Sequence, residues 1–203
     1  MTARVTVLDH GMGNLRSVAK ALESVGASVE IASEVPDKGV DLLVVPGQGH
    51  FGACVRTLGE VRMSQVRDWI EAQRPYLGIC LGLQVLFDGS QEDPAAGMGV
   101  VDGSVVRFGP GPKVPHIGWN SIQPADAGRE WFEGLEDELF YFVHSYFPEP
   151  RDDQVIAART DHGGTFCSAV ARGPMLATQF HPEKSGRVGL ELLKRVVAGS
   201  RAA

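Results

Sequence analysis

A cysteine framed by glycines, Gly78-Ile79-Cys80-Leu81-Gly82, stands where the apolar run Pro75-Tyr76-Leu77-Gly78-Ile79 gives way to a helical pattern. This is the spacing of a nucleophile elbow. On such a turn the nucleophile sits at the carboxyl edge of a sheet, and glycines two residues to either side let strand and helix approach without Cβ clashes. The Cys80 thiol is expected to point into solvent at a helix N-terminus. There the macrodipole and unpaired N–H groups favour thiolate, and the Leu81 N–H is available to a developing oxyanion.

A second chemical signal is Gln179-Phe180-His181-Pro182-Glu183 at the end of the last apolar run. Pro182 keeps His181 extended, so His181 and Glu183 are expected to project to the same side. A cysteine nucleophile needs a base within reach, and that base needs a third group to fix its tautomer and stabilise the imidazolium. Cys80, His181 and Glu183 supply these roles. A zinc deaminase would also use His-x-Glu, but it needs a downstream Pro-Cys-x-x-Cys, and no cysteine follows His181. No metal site is expected. His50, His116, His144 and His162 lie in loops or strands, where turn and packing roles are the default.

Two glycine-bearing loops complete the candidates. Pro46-Gly47-Gln48-Gly49-His50-Phe51-Gly52 follows an apolar strand, and glycine-rich backbone there can turn an N–H toward a bound carbonyl, a second oxyanion donor beside Leu81. A tight strand-to-helix connection would use the same residues. Gly11-Met12-Gly13-Asn14 superficially suggests a dinucleotide fingerprint, but Arg16 occupies the third glycine position, so a tight turn with Asn14 capping the next helix is expected.

The elements that must carry these residues alternate through the first half: strands at RVTVLD, SVEIAS, DLLVVP and PYLGIC, with helices at NLRSVAKALESVG and VRMSQVRDWIEAQ. That order implies parallel βαβ units whose carboxyl-end loops share one sheet edge. Beyond about Asp102 the strands GSVVRF, HIGWNSI, ELFYFVHSYF, VIAART, FCSAVAR and MLATQF follow closely, implying a largely antiparallel second half, and SGRVGLELLKRVVAG closes the chain as an amphipathic helix.

With 203 residues and 43% hydrophobic content the chain can bury a full core, and residues 1–203 read as a single α/β domain. A net charge of -6 and no Lys/Arg cluster argue against nucleic acid. Cys54, Cys80 and Cys167 form no close pair, which points to a reducing compartment. The N-terminus lacks the apolar stretch of a signal peptide and no run nears the roughly 20 residues that span a bilayer, so a cytoplasmic protein with no membrane partner is expected.

PGQGHFG, GICLGLQ and QFHPEKS, with HIGWN and YFVHSY between the last two and DHGMGNL at the start, resemble class I glutamine amidotransferases over nearly the whole chain. The resemblance implies a flavodoxin-like fold with a mixed sheet, no cofactor, and a glutaminase in which Cys80 attacks the glutamine side-chain amide while His181 relays the proton that lets ammonia leave. It makes Gln48 and Leu81 the oxyanion positions and Gly49, Gln84, Ser145 and Tyr146 the glutamine contacts. PHIGWN and PG-x-GHFG point to the branch that serves histidine biosynthesis. There Trp119 and Asn120 would face a (βα)8-barrel cyclase that receives the ammonia. The chain departs from the family at Gln48, where a small apolar residue is usual. The glutaminase subunit of pyridoxal phosphate synthase normally carries a GGES-type loop where PGQG stands, and non-catalytic DJ-1/PfpI-like proteins lack an HPE strand.

Overall fold

The computed structural model describes residues 2–201. Its strands are β1 (Arg4–Leu8), β2 (Ser28–Ala32), β3 (Leu42–Gly47), β4 (Tyr76–Cys80), β5 (Gly89–Ser90), β6 (Asp93–Ala96), β7 (Gly103–Arg107), β8 (His116–Ser121), β9 (Gln123–Pro124), β10 (Leu139–His144), β11 (Tyr146–Pro150), β12 (Ile156–Asp161), β13 (Thr165–Arg172) and β14 (Met175–Thr178). The helices are α1 (Leu15–Ser24), α2 (Phe51–Glu71), α3 (Leu81–Gln84), α4 (Arg129–Phe132) and α5 (Gly186–Gly199).

Eight strands form the main sheet in the order β2-β1-β3-β4-β14-β13-β12-β9. Pairing is parallel from β2 through β14 and antiparallel from β14 to β9. The division between parallel and antiparallel halves follows the chain order expected from sequence except at β14, the last strand, which pairs parallel with β4 as well as antiparallel with β13. β3 is buried at every position, because helices cover both faces of a central parallel strand. Its side chains alternate accordingly: Leu42 and Val44 pack with α1 and α5, whereas Leu43 and Val45 pack with α2.

The structure corrects four local expectations. ELFYFVHSYF is not one strand, because the chain leaves the β8–β10 ribbon at Ser145 and enters a separate four-stranded sheet, β11-β7-β5-β6. The second helix begins at Phe51, ten residues before VRMSQ, and absorbs the early start at Gly59, whose φ of 70° and ψ of 161° break the helical run. α3 is a single turn of four residues, so little macrodipole reaches Cys80. The β5–β6 hairpin, too short to show alternation, was not anticipated.

Asn14 does cap α1, its side-chain oxygen accepting from the Ser17 N–H at 3.3 Å. Among the described residues no helix is long and apolar enough to cross a membrane.

Candidate active site

The parallel register places Gly47 of β3 opposite Cys80 and Thr178 of β14 opposite Ile79. The loop after β3, the elbow after β4 and the chain leaving β14 therefore meet at one edge. Cys80 adopts φ 56° and ψ -104°, a left-handed backbone of a kind that costs about 1–3 kcal/mol outside glycine. Packing holds it there. A Cβ on Gly82 would lie 1.8 Å from the Val45 carbonyl oxygen, and one on Gly78 2.5 Å from that of Gly82. The buried Tyr76 hydroxyl donates to the same Gly82 carbonyl at 2.8 Å.

The thiol does not point into open solvent. Cys80 is 5% exposed and lines a cavity of about 730 Å³ with Gln48, Gly49, Leu81, Gln84, Ser145 and Tyr146. Sequence placed all of these together. The cavity also includes Glu92, Pro115, Trp119, Tyr141, Val143, His144 and Lys184, of which the sequence marks only Trp119 as a site residue. Glu92 carries no motif. Its Oε2 accepts from the Phe51 N–H at 2.7 Å, supplying α2 with the N-terminal acceptor that His50 does not provide.

His181 is extended, with φ -104° and ψ 94°, but Pro182–Lys184 then form a 3-10 turn rather than continuing the strand. The turn still brings Glu183 Oε1 to 2.8 Å from His181 Nδ1, with side chains 2% and 3% exposed respectively. A carboxylate at Nδ1 requires the N–H there, which turns Nε2 toward the sulfur. Nε2 is buried with no hydrogen bond of normal geometry. Burial lowers the imidazole's proton affinity, but the Cys80 sulfur and Glu183 raise it more, and the net result is pushed up to about 9. The shift favours the protonated ring, the state in which it can hand a proton to a leaving nitrogen. His181 N–H donates to the Tyr141 carbonyl at 2.9 Å and Ser185 Oγ to the His181 carbonyl at 2.6 Å, fixing the turn to β10.

Gln84 Nε2 donates to the Tyr146 carbonyl at 3.1 Å and to Gln179 Oε1 at 3.0 Å. Both of its N–H groups are used, leaving its carbonyl oxygen for a ligand. The Tyr146 carbonyl also faces His144 Nδ1 at 2.9 Å, and the Ser145 carbonyl accepts from Phe108 N–H at 3.3 Å.

Trp119 and Asn120, neighbours on β8, lie on opposite faces of the ribbon. Trp119 is 54% exposed. Asn120 Nδ2 turns back to the Asp161 carbonyl at 2.8 Å and to His116 Nε2 at 3.2 Å. The sequence expectation that both face a partner therefore separates: the indole is presented outward and the amide inward. Among the described residues no group of three or more His, Cys, Asp and Glu side chains is arranged to hold a metal ion.

Residues 6–198 match the glutamine amidotransferase class-I family, and the chain belongs to it. The similarity narrows further within that family. Imidazole glycerol phosphate synthase subunit HisH of Methanothermobacter thermautotrophicus is 44% identical over 200 residues, spanning 98% of this chain and 100% of that one. The subunit of the same name from Rhodopirellula baltica is 46% identical over 200 residues, spanning 94% and 95%. The fold is the class I amidotransferase type. PurLQS from Thermotoga maritima superposes with a TM-score of 0.78 at 18% identity, covering 98% of this chain and 99% of that one, and a glutamine amidotransferase from Thermotoga maritima gives 0.65 at 18%, covering 100% and 84%.

Proposed function

We propose that Cys80, His181 and Glu183 carry the reaction of a glutaminase subunit of imidazole glycerol phosphate synthase, hydrolysing glutamine and passing ammonia to a cyclase. The observation that supports it most is the buried His181–Glu183 pair beside Cys80 at the base of a cavity large enough for an amino acid.

Cys80 sulfur attacks the glutamine side-chain carbonyl carbon. The carbonyl electron pair moves to oxygen, where the Leu81 N–H and a peptide N–H of the Gly47–Gly49 loop meet the charge. His181 Nε2–H then protonates the amide nitrogen as the C–N bond breaks, releasing ammonia and leaving a γ-glutamyl thioester. Water attacks the thioester, its proton passing to His181, and the C–S bond breaks to free glutamate and the sulfur. Glu183 compensates the imidazolium before ammonia leaves and again when the water proton returns to the ring. Gln84 offers its carbonyl oxygen to a substrate N–H, Glu92 is the cavity carboxylate suited to the α-ammonium, and the Gly49, Ser145 and Tyr146 backbone completes the grip.

The partner is a (βα)8-barrel cyclase docked on the β8–β10 ribbon. Ile117, Trp119 and Leu139 expose 59%, 54% and 50% of their surface there, an apolar patch suited to a permanent partner. Trp119, Tyr141 and Val143 belong to the same ribbon and also line the cavity, so ammonia leaving Cys80 would emerge under the docked subunit. A cytoplasmic location belongs to the same proposal, supported by three buried cysteines that remain unpaired. Glutamate release from glutamine, assayed with and without the cyclase subunit, tests this function. The reading predicts release that rises on assembly, and no release in either state would overturn it.

A further inference from the structure

Gln179 has no part in the reaction as written, yet it touches the nucleophile. It is fully buried, its backbone N–H donates to the Ser168 carbonyl at 2.8 Å, and its side-chain Nε2 lies 3.6 Å from Cys80 Sγ. An amide side chain can be turned either way, so which of its ends faces the sulfur must follow from its neighbours. Those neighbours leave one choice. The Tyr146 carbonyl can only accept, so the Gln84 atom 3.1 Å from it is the nitrogen. That nitrogen lies 3.0 Å from Gln179 and must find an acceptor there, which is Oε1. The Gln179 NH2 group is thereby directed at the sulfur.

We propose that Gln179 is a positioning residue for Cys80: its side-chain N–H, oriented by Gln84 and the Tyr146 carbonyl, holds the sulfur in place and stabilises its anionic form. A thiolate flanked by one amide N–H and one imidazolium keeps its remaining lone pairs toward the cavity, where the glutamine carbonyl arrives. A donor to an ionised acceptor is worth more than one to a neutral acceptor, so the bond strengthens as the thiol loses its proton. The same links tie glutamine contacts at Gln84 and Tyr146 to the state of the nucleophile.

The test is the pH–rate profile of Cys80 alkylation by iodoacetamide, followed by the mass of the Cys80 peptide in the intact chain. Burial pushes the Cys54 and Cys167 thiols up to about 12, so they are silent near neutrality. Gln179→Leu removes the donor and Gln179→Glu replaces it with a carboxylate of nearly the same shape. Both profiles should move to higher pH, with alkylation at pH 7 slowed about tenfold and the rate above pH 10 unchanged. A residue that merely fills the core would lower thermal stability without moving the profile. An unmoved profile in a folded variant overturns the proposal. A second measurement needs no substitution: in the wild-type chain the side-chain NH2 resonances of Gln179 should titrate with the alkylation midpoint, and resonances indifferent to pH would equally overturn it. The proposal rests on the glutaminase reading for the use made of the thiolate. Alkylation, however, needs neither glutamine nor partner, so an unmoved profile leaves that reading intact, whereas a shifted profile without glutamate release defeats that reading alone.

Discussion

His181 Nδ1 and Glu183 Oε1 are 2.8 Å apart in a pair almost closed to water. Two residues of sequence separation suffice because the 3-10 turn at Pro182–Lys184 folds the carboxylate back under the ring. Together with the Cys80 sulfur, this pairing sets a pH window. The imidazole's proton affinity is raised to about 9 in the folded chain against roughly 6.5 for a free histidine, so the stabilisation from its protonated form is complete below about pH 6.5 and is lost as pH rises through 9. Glutaminase kcat should fall over the same alkaline limb, because the departing ammonia then lacks its proton donor. Glu183→Gln should bring that limb down by roughly 1–2 pH units while retaining measurable activity. A limb that stays in place, read from pH profiles of wild type and variant, would count against the carboxylate's role.

Backbone strain at Cys80 makes a second prediction. With φ at 56°, glycine fits the elbow better than alanine, so Cys80→Gly should be more stable than Cys80→Ala by about 1 kcal/mol, or roughly 2–4 °C in Tm. Both are inactive toward glutamine. Paired thermal melts decide it, and equal Tm values would mean that the elbow stores no strain.

The approach of strand and turn makes a third. Gly82→Ala puts a methyl 1.8 Å from a backbone oxygen of a buried strand, a clash no side-chain rotation relieves, and should cost on the order of 3–5 kcal/mol. Gly11→Ala meets no neighbouring atom within 4 Å; its φ of 84° alone should cost about 1 kcal/mol. Denaturant midpoints measure the contrast, which disappears if the elbow can relax.

Gly78, Cys80, Gly82, His181 and Glu183 announce themselves because each answers a demand met within a few residues: a turn, a base, a carboxylate. The β3 and β4 runs were equally plain, since continuous apolar strands flanked by helical patterns leave few topologies. Gln179 and Glu92 were missed because their roles are created by tertiary contacts, at 95 residues' separation to Gln84 and 41 residues' separation to Phe51 respectively. The break at Ser145 is not legible because one serine between apolar runs carries no glycine or proline to mark it, and the two strands belong to different sheets only once β7 and β8 have claimed them.

The Gly47–Gly49 loop carries a prediction about control. Gly49 has φ 109° and sits on the cavity wall, so its backbone permits a peptide flip that other residues resist. The isolated chain should hydrolyse glutamine slowly, and the cyclase with bound substrate should raise kcat about 100- to 1,000-fold, the worth of one oxyanion donor, while KM changes little. Gly49→Ala should blunt that activation without preventing assembly, as checked by gel filtration beside steady-state kinetics. Activation confined to KM would remove the loop from the account.

The most direct measurement replaces the nucleophile in the assembled enzyme and supplies nitrogen in two forms. With Cys80→Ala, product formation from glutamine should drop by at least about 10⁴-fold, as expected when a catalytic unit loses its nucleophile, while product formation from ammonium salts stays at the wild-type level. The lesion then lies wholly in making ammonia. Substantial glutamine-dependent product from Cys80→Ala, or equal loss with both nitrogen sources, would contradict the thioester mechanism on which the account stands.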